Sequence, residues 1–228
     1  MGDAVAGWVI ANVAAAVIGA AILSLTGRTG DAAKATNLPL TLIAVLQIPL
    51  WLGYAGVPLF VARFKGRGLV QDFRLWIRSV DLPLGIGVGL ASQFVLVPLL
   101  SAPMLRLLDK STEDLNAVAK SLTDRATDPL GVVLLILVVA IAAPVIEELF
   151  FRGLVLRSIE NRLGPAWAIV LSGLVFGATH FELLQLPALA GFGMVLGYVA
   201  WRTGRLGPSI VAHMAFNGVA VASLLAGR

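Results

Sequence analysis

The strongest constraint on this chain is its succession of long apolar runs separated by short polar loops. These runs fall near residues 4–26, 38–62, 82–105, 129–151, 165–184, 187–201 and 207–226. A helix that crosses a bilayer needs about 20 mostly apolar residues, and open sheets cannot satisfy their backbone hydrogen bonds in lipid. The sequence therefore predicts an all-α, polytopic transmembrane bundle of seven spans, or eight if a further span or re-entrant segment is present.

Composition excludes a soluble globular protein. Hydrophobic residues make up 58% of the chain and charged residues 13%, whereas soluble domains are about 45–50% apolar and about 25% charged. Seven spans leave no room for a separate soluble domain, so residues 1–228 are predicted to form a single integral membrane domain. The chain has no cysteine, which excludes disulfides, thiolate metal ligands and a cysteine nucleophile.

The net charge of +4 reflects membrane orientation and does not predict a nucleic-acid partner. Basic residues concentrate in the 63–81 loop, after the fourth apolar run and in the 202–206 loop. The positive-inside rule makes these connections cytoplasmic, which also places the N-terminus in the cytoplasm and the 106–128 loop outside. Arginine outnumbers lysine 13 to 4, which favours a prokaryotic cytoplasmic membrane.

Two of the loops are predicted to contain surface helices. Between Leu69 and Val80, apolar residues recur at helical spacing with arginines between them, a pattern typical of a helix in the membrane interface. In the 106–128 loop, Ser111 and Asp114 have the spacing of a capping box, and an apolar stripe begins at Leu115.

Intramembrane ionisable residues are costly and are by default functional-site candidates. Glu147, Glu148 and Arg152 follow the fourth apolar run without a break. Glu148 and Arg152 are four residues apart and share a helix face, so they are predicted to pair. Glu147 is rotated by about 100° and has no local cation, which gives it the basicity that a general base needs. Alternatively, all three mark a helix end with side chains that reach water.

The two histidines of the chain, His180 and His213, both lie inside apolar segments, and Asn217 shares a helix face with His213. A single membrane histidine is often a packing residue. Two histidines together with Glu147 indicate a catalytic or a metal-binding constellation, because Glu147, His180 and His213 are also a credible zinc set with an open position for water.

Three motifs occur in order on successive apolar segments: Glu147-Glu148-xxx-Arg152, Phe176-xxx-His180 and His213-xxx-Asn217. This ordered set resembles the signature of the CAAX-processing and bacteriocin-immunity (CPBP, or Abi) family of intramembrane proteases, with its type II CAAX prenyl endopeptidases. The resemblance covers residues 129–220, the predicted catalytic core. The first 128 residues match only as hydrophobic spans.

The resemblance implies hydrolysis of a peptide bond within the membrane by a glutamate-type mechanism without a cofactor. Glu147 and His180 would activate a water, and His213 and Asn217 would stabilise the oxyanion. The supporting residues would be Glu148, Arg152 and Phe176. The implied partners are membrane lipids and a lipidated or transmembrane protein substrate, which includes a prenylated CAAX-like one.

Three alternatives stay open at this point. One is a zinc-dependent form of the same protease. The second is a non-catalytic immunity or scaffold protein that binds a partner. The third is a small transporter in which the glutamate and the histidines relay protons.

Overall fold

The computed structural model describes residues 2–29 and 38–227, and these residues form α-helices and short π-helical segments. The α-helices are α1 (Gly2–Leu25), α2 (Leu40–Phe64), α3 (Leu69–Phe73), α4 (Asp81–Ala91), α5 (Val97–Leu107), α6 (Thr112–Thr123), α7 (Pro129–Leu135), α8 (Ala143–Glu148), α9 (Leu156–Ala178), α10 (Leu186–Thr203) and α11 (Gly207–Ala226). The π-helical segments are π1 (Ser92–Leu96), π2 (Ile136–Ala142) and π3 (Leu149–Val155). The described residues contain no strand, so the all-α prediction is confirmed.

Five helices of the described part are long and apolar enough to cross a membrane. They are Gly2–Leu25, Leu40–Phe64, Asp81–Leu107, Pro129–Ala178 and Gly207–Ala226. The predicted count of seven or eight spans is therefore not confirmed. One reason is that the fourth and fifth apolar runs form one helical stretch of 50 residues, which bends at Gly164, where φ is +80° and Pro165 follows. Proline and glycine are common causes of such bends.

The helices pack mainly in three close pairs, in which α1 contacts α2, α4 contacts α11, and α9 contacts α10. Small residues make two of these approaches possible. A Cβ atom at Gly85 would lie 2.6 Å from the Cβ atom of Val211, and one at Gly193 would lie 2.9 Å from the Cα atom of Gly173. Small residues at such positions let membrane helices meet closely, so Gly85 allows the approach of α4 to α11 and Gly193 allows that of α10 to α9.

The prediction of an interface helix between Leu69 and Val80 is wrong for most of this range. Only Leu69–Phe73 is helical, and Arg74 ends the helix in the left-handed region with φ at 53°. Phe73 is buried. Its ring lies against Gly153, in space that a Cβ atom at that position would need. The chain therefore turns inward to insert this ring into the bundle, a tertiary contact that the periodicity of the loop did not reveal.

The surface helix predicted in the 106–128 loop is confirmed as α6. The Ser111 hydroxyl accepts a hydrogen bond from the backbone N–H of Asp114, and the Asp114 carboxylate accepts one from the backbone N–H of Ser111. Leu115 is buried, and its carbonyl accepts a hydrogen bond from the side chain of Gln185, with an N–O distance of 2.9 Å. This bond fixes α6 to the segment that connects α9 to α10.

Candidate active site

The two adjacent glutamates at the end of α8 point into different surroundings, as their helical positions predict. The Glu148 side chain is completely buried, whereas 19% of the Glu147 side chain remains accessible. The Arg152 guanidinium lies one helical turn after Glu148, and its Nη1 atom is 2.8 Å from Glu148 Oε1. The predicted pairing of Glu148 with Arg152 is therefore observed, and Glu147 has no such partner on its own helix.

Glu148 also holds His213, which comes from α11. The Nδ1 atom of His213 lies 3.1 Å from Glu148 Oε1, so its N–H can donate to the carboxylate. The other ring nitrogen, Nε2, faces Glu147 Oε2 at 3.8 Å. The ring of His213 thus stands between the two carboxylates, with one nitrogen toward each, and this links α8 to α11.

The ring of Phe176 lies at the centre of the site. Its centroid is 4.9 Å from the centroid of His180 and 5.6 Å from that of His213, in edge-to-face arrangements. The Arg152 guanidinium carbon lies 4.5 Å from the same ring, within the range of a cation–π interaction. Phe176 therefore separates the two histidines and covers the buried cation.

Arg152 completes this core by donating from Nη2 to the carbonyl oxygen of Gly193 on α10, at 2.9 Å. Buried polar contacts therefore join the helical stretch that carries Glu148 and Arg152 both to α11 and to α10. A buried ion pair is costly to break by removing one partner, because the remaining charge is left without compensation.

Asn217 occupies a place that the backbone of π2 creates for it. The N–H of Ala143 donates to the carbonyl of Val138, and Pro144 has no N–H, so neither of these two residues can donate to the carbonyl of Val139. The side-chain amide of Asn217 does so instead, with Nδ2 2.8 Å from the Val139 oxygen. The second hydrogen of this amide and its oxygen stay available to a neighbouring group.

His180 follows the C-terminal end of α9 and is oriented by the helix. Its Nδ1 atom lies 2.9 Å from the carbonyl oxygen of Phe176. Because that oxygen is an acceptor, the geometry favours a hydrogen on Nδ1 and leaves Nε2 available as an acceptor.

These residues meet at one cavity of about 320 Å³, which is lined by side chains from α2, π1, α6, α10, α11 and the helical stretch around π2. Glu147, His180 and Asn217 all line this cavity. His213 is buried and stands behind Glu147 instead. The structure thus brings the polar residues of all three sequence motifs to one place, with three of the four predicted catalytic residues facing the same space.

A zinc ion was one alternative for Glu147, His180 and His213. Across residues 2–29 and 38–227, no three histidine, aspartate or glutamate side chains are grouped so as to hold a metal ion. His213 directs Nδ1 toward Glu148, and His180 directs Nδ1 toward a backbone carbonyl. Histidines that bind a metal through Nε2 commonly make the same second contact, so the zinc alternative stays a prediction.

Part of the cavity wall was missed by the motif analysis. Gln47 and Trp51 on α2, Gln93 in π1, and Asn116 on α6 line the same space. The signal that could have found them is the presence of uncharged polar side chains inside apolar spans, since the sequence analysis considered only ionisable intramembrane residues and the asparagine of the third motif.

Comparison with known proteins agrees with the motifs. Residues 129–219 match the family model described as "Type II CAAX prenyl endopeptidase Rce1-like". Over 87 residues the chain is 29% identical to a curated relative from Bacillus subtilis (strain 168), named "Putative membrane peptidase YdiL". This similarity covers 38% of the chain and 36% of the relative, so the chain spans about a third of that relative's length.

No solved structure matches the chain. The matched segment includes α8, π3, α9, α10 and all the motif residues described above. This part of the chain, residues 129–219, is therefore similar to the Rce1-like type II CAAX prenyl endopeptidases, and the resemblance predicted from its motifs is confirmed.

Proposed function

We propose that this protein is an integral membrane endopeptidase that hydrolyses a peptide bond of a membrane-associated substrate. The observation that carries the proposal is the convergence of Glu147, His180 and Asn217 on one cavity, inside a segment that matches a family of prenyl endopeptidases. A prenylated, CAAX-like C-terminus is the substrate class that the family description suggests. Prokaryotic origin and a cytoplasmic N-terminus remain part of this proposal.

In the proposed mechanism, Glu147 acts as the general base and removes a proton from a water molecule in the cavity. His180 holds the same water through Nε2, since its Nδ1 faces a backbone carbonyl. The oxygen of the water then attacks the scissile carbonyl carbon, and the proton on Glu147 is later transferred to the leaving amine. A positioned base of this kind contributes a rate factor of about 10²–10⁴.

Asn217 is the proposed donor to the oxyanion, because its amide is held by Val139 and keeps one hydrogen free. The family resemblance gives His213 the same task. Its burial and its 3.8 Å distance from Glu147 support a role behind the base, where it holds the carboxylate in position. Glu148, Arg152 and Phe176 hold His213 and the helices around it.

The test uses the protein reconstituted in lipid and offered a panel of prenylated C-terminal peptides and transmembrane reporters. Native protein is compared with Glu147→Gln and with Glu113→Gln, an exposed glutamate on α6 that serves as the matched control. Cleavage that falls at least about a hundredfold in Glu147→Gln alone supports the proposal. Equal rates in all three proteins would exclude Glu147 as the base.

A parallel series with a metal chelator tests the mechanism. The metal-free mechanism predicts the same cleavage rate with and without chelator. A rate that collapses with chelator and returns with Zn²⁺ would instead support the zinc-dependent protease. Proton flux through the reconstituted protein, unaffected by any reporter, would favour a transporter.

A further inference from the structure

Two glutamine side chains in the cavity have no role in the chemistry described so far. Gln47 lies on α2 and Gln93 lies in π1, and both line the cavity that Glu147 and His180 line. Both are half-buried. Within the described ranges, neither carboxamide makes a hydrogen bond or ion pair with another part of the protein.

A carboxamide inside an apolar helix bundle needs a hydrogen-bond partner, which can come from the protein or from what fills the cavity. Gln47 and Gln93 both lie within helices that are long and apolar enough to cross the membrane. Both side chains line the cavity without a protein partner among the described residues, so their carboxamides are available to a polar ligand.

The surroundings of both residues follow the same pattern. One turn after Gln47 on the same face stands Trp51, and one turn after Gln93 stands Val97, and both of these apolar residues also line the cavity. Gln93 further belongs to a π-helical segment, and such segments frequently occur at functional sites. Each wall therefore presents one amide next to an apolar surface.

The ligand that fits this pattern is a peptide main chain. A carboxamide offers one acceptor oxygen and two donor hydrogens, which match the C=O and N–H of a peptide group. A substrate that is extended for cleavage has no internal partners for these groups, and in the membrane they must be satisfied. Main-chain hydrogen bonds would then give affinity and apolar walls would contact the side chains.

We propose that Gln47 and Gln93 are positioning residues that bind the main chain of an extended substrate segment and align it with Glu147. This inference rests on the proposed endopeptidase function. Both residues lie outside residues 129–219, the matched segment, so the active site is assembled from the catalytic part and from the helices that precede it.

The first experiment replaces each residue by the apolar side chain of nearly equal length, in Gln47→Met and Gln93→Met. Gln71→Met, at an exposed position on α3, is the matched control. We expect kcat/KM to fall about tenfold in each cavity variant, mostly through KM, and to stay unchanged in the control. Thermal stability should stay equal or rise in both cavity variants, whereas a purely structural role would lower it.

The second experiment removes single hydrogen-bonding groups from the reporter by replacing one backbone amide at a time with an ester. At the position that a glutamine contacts, native protein should lose about tenfold in kcat/KM. The corresponding methionine variant should lose nothing further from the same replacement. Losses that add independently at every position would overturn main-chain binding by Gln47 and Gln93.

The outcomes separate this inference from the function on which it rests. If native protein cleaves a reporter and both methionine variants match it, the protease function stands and the inference is overturned. If native protein cleaves no reporter, the inference is tested by binding. The measured quantity is the affinity of a farnesylated C-terminal peptide for Glu147→Gln protein in lipid nanodiscs. Binding that weakens at least tenfold when Gln47→Met and Gln93→Met are added supports the inference, and equal or absent binding overturns it.

Discussion

The side-chain amide of Asn217 donates to the carbonyl of Val139, 2.8 Å away, at a point where the helix backbone has lost its own donors. The cause is Pro144, which has no N–H, together with Ala143, whose N–H donates to Val138. A residue predicted to be catalytic therefore also completes the backbone of a neighbouring helix, and its position is fixed by that bond.

This relationship predicts a coupling between Asn217 and Pro144. Asn217→Ala should lower the free energy of unfolding by about 1–3 kcal/mol, since it leaves the half-buried carbonyl of Val139 unpaired. In a Pro144→Ala background the loss should be smaller, because the alanine introduced at position 144 supplies an N–H of its own. Thermal unfolding of the double-mutant cycle in detergent measures this coupling, with the exposed Asn161→Ala as control. Strict additivity would contradict it.

Replacement by glutamine should lower stability at Glu148 but not at the adjacent Glu147. Glu148→Gln leaves the buried Arg152 without its counter-charge, which should cost about 3–5 kcal/mol of stability. Glu147→Gln changes no ion pair on its own helix and should leave the unfolding midpoint nearly unchanged while it abolishes cleavage. Thermal melts and cleavage rates for both variants check this. Similar losses of stability in the two would show that Glu147 is structural.

Two glycines of α4 provide a matched test of its packing on α11. A Cβ atom at Gly85 would lie 2.6 Å from Val211, whereas one at Gly87 would meet nothing within 4 Å. Gly85→Ala should therefore cost about 1–3 kcal/mol through overpacking. Gly87→Ala should be neutral or stabilising by up to about 1 kcal/mol, because alanine favours the helix. Equal unfolding midpoints for both variants would contradict the close approach of these helices.

The capping box of α6 predicts a response to acid. Hydrogen bonds from the backbone and side chain of Ser111 lower the pKa of Asp114 below its ordinary value of 3.8. A lowered pKa in the folded state means that the stabilisation is present above the ordinary value and is lost as the pH falls through the lowered one. The start of α6 should therefore stay ordered at neutral pH and loosen in strong acid.

A nitroxide spin label on Ala117→Cys would measure this response, since the chain has no other cysteine to label. Label mobility should rise as the pH falls below about 4. With Asp114→Asn added, mobility should be higher at neutral pH and independent of pH across this range. A native label that is equally mobile at every pH would contradict an ordered cap.

The sequence predicted the local features of the site because they depend on spacing along one helix. The four-residue separation of Glu148 and Arg152 produces their contact, and the pattern from Ser111 to Asp114 produces the cap of α6. Features that depend on distant parts of the chain could not be derived. The inward turn of Phe73 depends on space above Gly153, which no local pattern encodes.

The same distinction holds for the cavity. Three motifs indicated that Glu147, His180 and Asn217 come together, but not that α6 and the earlier helices complete the wall. Likewise, apolar runs give the positions of helices but not which of them cross the bilayer, since the fourth and fifth runs form one continuous stretch that bends at Gly164. Roles of individual site residues stay predictions until variants are assayed.

The close packing of α4 on α11 also bears on how the protein is made. The ribosome synthesises α4 before α11, and more than a hundred residues separate Gly85 from Val211, which it contacts. Gly85 therefore lacks this partner while those residues are added. His213 lies on α11 and meets Glu148 only after α11 has been made. The nascent chain therefore carries both carboxylates into the membrane before their histidine, and the proposed active site is complete only once α11 has packed against α8.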